Sequence, residues 1–562
     1  MKDWKAKIVE YYQEQITQVY PDIEGDMLRF EYPREASFGE LAIPCFPFAK
    51  PLRQSPIHIA EHLVEVLPRH QGVAEITAVA GYLNIKLKAE YLLRLLQQDY
   101  TQVPSGQKLS IEFSSPNTNK PLHIGHLRNI VLGESLTALF RSQGDQVIKT
   151  EVVNDRGIAI AKMMLVYDLF YKDQVPMGKP DHFAGMLYVE FEQRVKENPE
   201  LEQEAQEILR LWEEEDPHWH GVWKLLRDWV IEGQHQTYDR LPTSFDERLF
   251  ESDIYKEGKD IVTDGLARGI LKQHPEHGYI YADLEQEGLP NKILLRSNGT
   301  ALYITQDLAL LKRRLHGKSL CAGADKMIYI TALEQNLQFA QLFAIVKQLG
   351  IKDEGLYHIG YGAIRRPEGK MSSRKGNVLH ADTLIDDIES LVRQQYFQDS
   401  ELDRAEQERR IQVIARASYW YYLLSTSAKR DMVFDETASV SLTGKTGPYI
   451  LYAYARIQSI LNKSSLKPQS SPSYDHEAER PLVVAALKFP EMVSLSASEL
   501  DPSIIAQYVY ELAELLNSYY HKYPVIGQEA EVEQSRLYVL QQVALLIKHG
   551  LSLLTIETLS EM

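Results

Sequence analysis

Apolar side chains recur at helical spacing at Trp4, Ile8, Tyr11, Ile16 and Val19, and a second helical run, 57–67, follows breaks at Pro51 and Pro56. Phe38-Gly39-Glu40 between them reads as a turn. Residues 76–87 mix β-branched side chains with Gly81, the pattern of strands, before Pro104-Ser105-Gly106-Gln107 marks a boundary. These signals predict a small α+β domain over residues 1–107.

From residue 108 the pattern changes. An apolar strand at 109–113 leads through a loop holding Pro116 and Pro121 into a helix carrying Leu127, Ile130, Val131, Leu136, Leu139 and Phe140 on one side. Strand-like runs follow at 146–153, 279–281, 293–295, 301–305, 327–331 and 356–361, with a helix at 333–349. Strands alternating with helices predict an α/β domain over 108–398, a Rossmann-like parallel sheet taking ligands at its carboxyl edge. Within it, the charge-rich, helical-looking stretch of about 172–250 reads as an insertion and receives no chemistry. Beyond residue 400 the periodicity is helical throughout, at 405–424, 447–461, 479–495, 504–520 and 535–554, which predicts an all-α bundle over 399–562.

Composition narrows the class. The chain has 562 residues, 44% of them apolar and 25% charged, enough for several cores and without the bias of disordered chains. No apolar stretch approaches the roughly 18 residues of a membrane span, and the N-terminus lacks the apolar core of a secretory signal. A cytoplasmic protein without membrane contact is expected. Only Cys45 and Cys321 occur, so a disulfide framework and a zinc site with several thiolates are excluded. The net charge of −17 argues against a general nucleic-acid coat but leaves room for a local basic groove.

Two motifs carry chemistry. His123-Ile124-Gly125-His126 falls where the first loop becomes a helix, so that backbone N–H groups, the helix dipole and two imidazoles can receive a polyphosphate. Some 250 residues later, Lys370-Met371-Ser372-Ser373-Arg374-Lys375-Gly376-Asn377 is dense in cations and hydroxyls suited to the charge of a phosphoryl transition state. Together, in this order, they resemble the two signatures of class I aminoacyl-tRNA synthetases. The surroundings of the first signature, Glu112-Phe113-Ser114-Ser115-Pro116-Asn117 and Asn119-Lys120-Pro121, are similar to the arginyl-tRNA synthetase form. So are Asn154-Asp155-Arg156-Gly157, Ser297-Asn298-Gly299-Thr300 and Tyr303-Ile304-Thr305-Gln306-Asp307.

The resemblance implies an ATP-dependent ligase that activates L-arginine as the adenylate and transfers it to the 3′ end of tRNA(Arg). It implies ATP on His123, Gly125, His126, Gly362, Lys370, Met371 and Ser372, with Mg²⁺ accompanying the triphosphate. His123, His126, Lys370 and Lys120 would be catalytic, with no protein metal site. Arginine would be held by Glu112, Asn117, Tyr303, Asp307 and Gln335, with Asp307 as the guanidinium's bidentate partner. Domain 1–107 would contact the tRNA elbow and 399–562 the anticodon, through Tyr449, Arg456 and Tyr454 among many packing tyrosines. A monomer is expected. One departure stands out: the second signature generally ends Lys-Ser, whereas this chain has Ser373 and Arg374 there.

Two rivals make different demands. A cysteine or methionine enzyme of the class would recruit several thiolates to zinc, and a glutamate enzyme would want arginines where Glu112 and Asp307 stand. A catalytically silent tRNA-binding paralogue would show eroded signatures, and these are intact apart from that departure.

Overall fold

A computed structural model describes residues 5–96, 105–316, 319–352, 354–367, 378–471 and 476–562. The first domain packs helices α1 (Ala6–Val19), α2 (Ala49–Leu52), α3 (Pro56–Val66) and α4 (Ala89–Leu96) with an antiparallel sheet. Its strands are β1 (Leu41–Pro44), β2 (Val73–Val79) and β3 (Tyr82–Leu87), in the order β1-β3-β2. Gly81, at φ +83°, makes the β2–β3 turn that a side chain would strain.

The second domain is built on five parallel strands, β4 (Lys108–Glu112), β5 (Gln146–Val153), β6 (Glu247–Phe250), β10 (Lys326–Ala332) and β11 (Leu356–Tyr361), in the order β11-β10-β4-β5-β6. The order reverses between β4 and β10, where Tyr329 pairs with Glu112, so a crevice opens beyond the carboxyl ends of these two strands. Helix α5 (Ile124–Ser142) follows β4, and α6 (Ile158–Val166) follows β5. Three helices, α7 (Pro180–Arg194), α8 (Glu200–Glu213) and α9 (Pro217–Tyr238), then make the insertion. Next come α10 (Glu257–Ala267) and a small antiparallel sheet of β7 (Lys272–Gln273), β8 (Ile280–Ala282) and β9 (Lys292–Leu295). Helices α11 (Tyr303–Leu315), α12 (Asn336–Gln348) and α13 (Ala381–Tyr396) complete it.

Two readings of the second domain's pattern differ from the structure. Of the strand-like run 301–305 only Ala301 pairs, in a single bridge with Leu295, and residues 303–305 open α11, because Ile304, Leu308 and Leu311 bury one helical stripe and override the β-branched residues. The end of the charge-rich stretch, residues 247–250, is β6, a fifth strand of the main sheet.

Helices α14 (Arg404–Leu424), α15 (Glu436–Ser439), α16 (Gly447–Lys463), α17 (Arg480–Leu487), α18 (Phe489–Glu499), α19 (Ser503–Lys522) and α20 (Ala530–Leu553) form the bundle. A two-stranded link, β12 (Ile364–Arg365) with β13 (Met432–Val433), ties it to the second domain. Helix α5 is buried on nearly all sides, between the sheet and the bundle. Its Arg128 donates to Gly362 O (2.7 Å) and Ser427 O (3.2 Å), and its Ser135 to Leu554 O (3.5 Å). No described helix is long and apolar enough to cross a membrane.

Candidate active site

Strand β4 delivers Glu112 to the crevice, and the chain then turns sharply, with Ser114 at φ +65° and Ser115 at φ +44°. Such backbone is costly for residues with a Cβ and persists only where its surroundings fix it. Here Asn129 of α5 accepts from the Ser114 N–H while its amide donates to Ile330 O (2.7 Å). Ser115 Oγ accepts from the Val152 N–H (3.1 Å) and donates to Glu112 (3.3 Å), and Asn154 donates to Ser115 O (2.9 Å). The turn thereby ties β4, β5, β10 and α5 together at the sheet's switch point.

Beyond it lies a cavity of about 490 Å³ whose lining includes Glu112, Asn117, Lys120, His126, Tyr303, Asp307 and Gln335. All five residues expected to hold arginine therefore share one cavity. Tyr303 opens α11 and is 63% exposed, with Asp307 one turn later on the same face. Asp307 accepts a hydrogen bond from Gln338 (2.7 Å), and burial, with Glu112 adding, pushes its carboxyl up to about 6 despite that bond.

In and around the cavity are groups that the sequence did not single out. Glu251, just past β6, faces it, and burial together with Asp307 pushes its carboxyl up to about 8. Arg314, buried two turns beyond Asp307 on α11, forms an ion pair with Glu112. Helical arithmetic from Asp307 points to Arg314, whereas Glu251 depended on recognising β6 as a sheet strand. Glu112, Glu251 and Asp307 thus converge on one cavity, which Lys120 and Arg156 also line, with Arg314 paired to Glu112.

At the start of α5 the two signature histidines stack, with ring centroids 3.8 Å apart. His123 Nδ1 accepts from the Gly125 N–H and His126 Nδ1 from the His123 N–H, each at 3.1 Å. Burial first, then the Lys120 ammonium, drive His123 down to about 3, and burial, then His123 and Lys120, hold His126 well below its ordinary value. Both rings are therefore neutral, and with Nδ1 accepting, each carries its proton on Nε2 as a fixed donor. Gly125 is needed here, because a Cβ would lie 2.9 Å from His123 Cε1.

Beside them a cavity of about 200 Å³ is lined by His123, Gly125, Glu334, Tyr361, Gly362 and Ile364, among others. Gly362 sits at its wall, but its N–H already donates to Ala428 O (2.8 Å) and its carbonyl accepts from Arg128. A Cβ there would meet the Arg430 backbone at 2.4 Å, so packing is what demands this glycine. Lys370, Met371 and Ser372 lie outside the described residues.

In the bundle, Tyr449 packs beside Tyr510 (5.5 Å), and the Arg456 guanidinium lies over the rings of Tyr520 (4.2 Å) and Tyr452 (5.8 Å). Tyr454 is buried and packs the core, while Tyr452 is exposed.

Comparisons with known proteins agree along the chain. Residues 5–87 match the arginyl tRNA synthetase N terminal domain, 91–436 the class I (R) tRNA synthetase catalytic domain, and 450–562 the DALR anticodon binding domain. Among relatives, the arginine–tRNA ligase of Treponema pallidum is 35% identical over 96% of each chain, and that of Treponema denticola 36% over 94% of each. Among solved structures, the Thermus thermophilus arginyl-tRNA synthetase superposes over the whole of both chains with a TM-score of 0.81 at 26% identity. The Plasmodium falciparum enzyme gives 0.79 at 22%, again over the whole of both chains. The chain belongs to the class I arginyl-tRNA synthetase family.

Proposed function

We propose that this chain ligates L-arginine to tRNA(Arg) at the expense of ATP. The observation that carries the reading is the convergence of Glu112, Glu251 and Asp307 on one chamber next to two neutral imidazoles. The guanidinium enters that chamber, Asp307 and Glu251 facing its fork of donors, with Tyr303 and Gln335 orienting it. Asn117 and Glu112 take the carboxylate and ammonium end. Adenosine lies on the Gly125–Gly362 side. Arginine's carboxylate oxygen then bonds to the α-phosphorus as the bond to the β-phosphate breaks, and pyrophosphate departs with the electron pair. The Nε2 protons of His123 and His126 and the Lys120 ammonium meet the charge that develops, with Lys370, Met371 and Ser372 of the second signature completing the phosphate contacts. In the second step a hydroxyl of the tRNA's terminal ribose attacks the carbonyl carbon and AMP leaves, taking the proton.

Mg²⁺ accompanies the triphosphate, held mainly by phosphate oxygens and water. Tyr449 and Arg456 contact the tRNA from the bundle. The setting is cytoplasmic, consistent with two free, buried thiols, and the chain acts as a monomer.

The test is charging of total tRNA with each of the twenty amino acids in turn, with ATP. Arginine alone should reach the tRNA. Charging with any other amino acid, or with none, overturns the reading.

A further inference from the structure

Helix α9 takes no part in the steps above, yet one stripe of it touches three of the loops that line the arginine cavity. Trp223, Arg227, Gln234 and Tyr238 follow one another at intervals of four, seven and four residues, which places them along a single face of the helix. Trp223 Nε1 donates to Asp155 O (2.6 Å), and Arg227 lies 3.8 Å from the Asp155 carboxylate. That carboxylate also accepts from the Ser252 N–H (2.9 Å) and hydroxyl (2.7 Å). Loop 154–157 and the chain at Glu251 are thereby pinned to one helix.

Toward the other end of α9, Tyr238 donates to the buried Glu151 and accepts from Ser114 Oγ (2.6 Å). Ser114 is one of the two left-handed residues in the turn after β4, a conformation that lasts only while its surroundings fix it. Gln234 makes the contact that bears on the chemistry. Its amide, on a residue only 3% exposed, donates one proton to Asn117 O (3.3 Å) and the other to Lys120 O (3.2 Å).

Asn117 and Lys120 have separate tasks: the first takes one end of the arginine backbone, and the second meets charge on the phosphates. Residues 117–120 belong to no helix or named strand, so no regular backbone pattern sets how far apart the two stand. One planar amide spans them instead. The helix that carries it is held from behind. A Cβ on Gly233 would lie 2.4 Å from Asp181 of α7, and Thr237 donates to Asp382 of α13 (3.0 Å). Lys179 joins Asp181 (2.9 Å), Thr237 (2.6 Å) and Asp382 (2.8 Å).

We propose that α9 is the backboard of adenylate formation. Gln234 is a positioning residue that sets the separation of Asn117 and Lys120, and Tyr238 is one that holds the turn through Ser114. The proposal rests on the arginine-activating reading. The carboxylate oxygen and the α-phosphorus have to be brought to bonding distance, and a misplacement of about 1 Å costs about 10²-fold in rate. Removing a spacer leaves each substrate its own contacts, so the cost falls on the chemical step and not on binding.

The experiment is arginine-dependent ATP–pyrophosphate exchange with tRNA present, normalised to folded enzyme. Gln234→Met keeps the length of the side chain and removes both donors. It should lower kcat about 100-fold, with the KM for arginine and for ATP within about threefold of wild type. Gln234→Glu keeps one donor only while its buried carboxyl is protonated, so its kcat relative to wild type should fall as pH rises. Tyr238→Phe, which removes one hydroxyl and tests the same helix should Gln234→Met fail to fold, should lower kcat about tenfold. Ser114→Gly added to it should restore most of that loss, because glycine takes a positive φ unaided. A kcat within about twofold of wild type in both Gln234→Met and Tyr238→Phe overturns the proposal. So does a raised arginine KM with kcat unmoved, which would make α9 only a wall of the arginine cavity. Absence of exchange in the wild type would instead overturn the activity reading. Amide hydrogen exchange then still decides what α9 does: faster exchange across 113–121 in Gln234→Met supports its hold on the loop, and an unchanged rate overturns it.

Discussion

In the proposed reading, Asp307 and Glu251 face the same guanidinium from different starting charges. With its carboxyl at about 6, Asp307 is mostly ionised at neutral pH and loses its charge as pH falls through that value. The kcat/KM for arginine should therefore drop about tenfold per pH unit below about 6, since that ratio reports groups of the free enzyme. Asp307→Ala should raise the arginine KM by on the order of 100-fold, the loss of a charge-assisted pair, and an unchanged KM would refute its placement. Glu251, at about 8, is protonated at pH 7 until a guanidinium arrives. Arginine binding at pH 7 should then release up to about one proton, because the new positive neighbour lowers the carboxyl's pKa through the ambient pH. Calorimetry in buffers of different ionisation enthalpy reads that release, and Glu251→Gln should abolish it. A binding heat independent of buffer would count against Glu251 as a guanidinium partner.

At the scale of elements, the first signature works because α5 starts where it does. Gly125→Ala should push His123 out of its stack and slow adenylate formation about 10²-fold, as loss of a positioned donor does, while leaving α5 folded; a full-rate variant would show that the stacked geometry is dispensable. The strand–loop–helix that carries this signature was legible because strand 109–113 and the helix beyond it have clean periods and the histidines lie at their junction. Residues 301–305 misled because Ile304 and Thr305 are β-branched, yet their partners Leu308 and Leu311 lie one and two turns on, at helical spacing. Strand β6 was missed for a different reason. Four residues, half of them charged, form a strand only because β5 offers an edge, and nothing local states that. Glu251 was lost with it. The same holds for the 479–495 helix, which the structure divides at Lys488, between α17 and α18, where Pro490 starts a new first turn.

For the whole molecule, the first domain is fastened to the bundle by charge. Arg480 donates to Glu40 (2.7 Å) and to Leu87 O (3.1 Å), while the Leu87 N–H donates to Glu40 (2.6 Å), which is 2% exposed. Lys5 and Tyr32 both reach Glu491, at 2.8 and 2.7 Å. Removing one member of such a buried pair costs about 3 kcal/mol because the other stays buried and uncompensated. Arg480→Ala should loosen this docking, seen as expansion by small-angle scattering, and raise the KM for tRNA more than that for arginine. An equal effect on both would mean that the fastening also shapes the arginine chamber. Helix α5, sandwiched between sheet and bundle, sets a limit of another kind. Its apolar surface has no single inside, so a chain cut after β13 would present a hydrophobic face to solvent and aggregate. The catalytic half is therefore not a portable module: an exchange of anticodon bundles between relatives has to carry the outward face of α5 with it, and the two halves are bound to vary together.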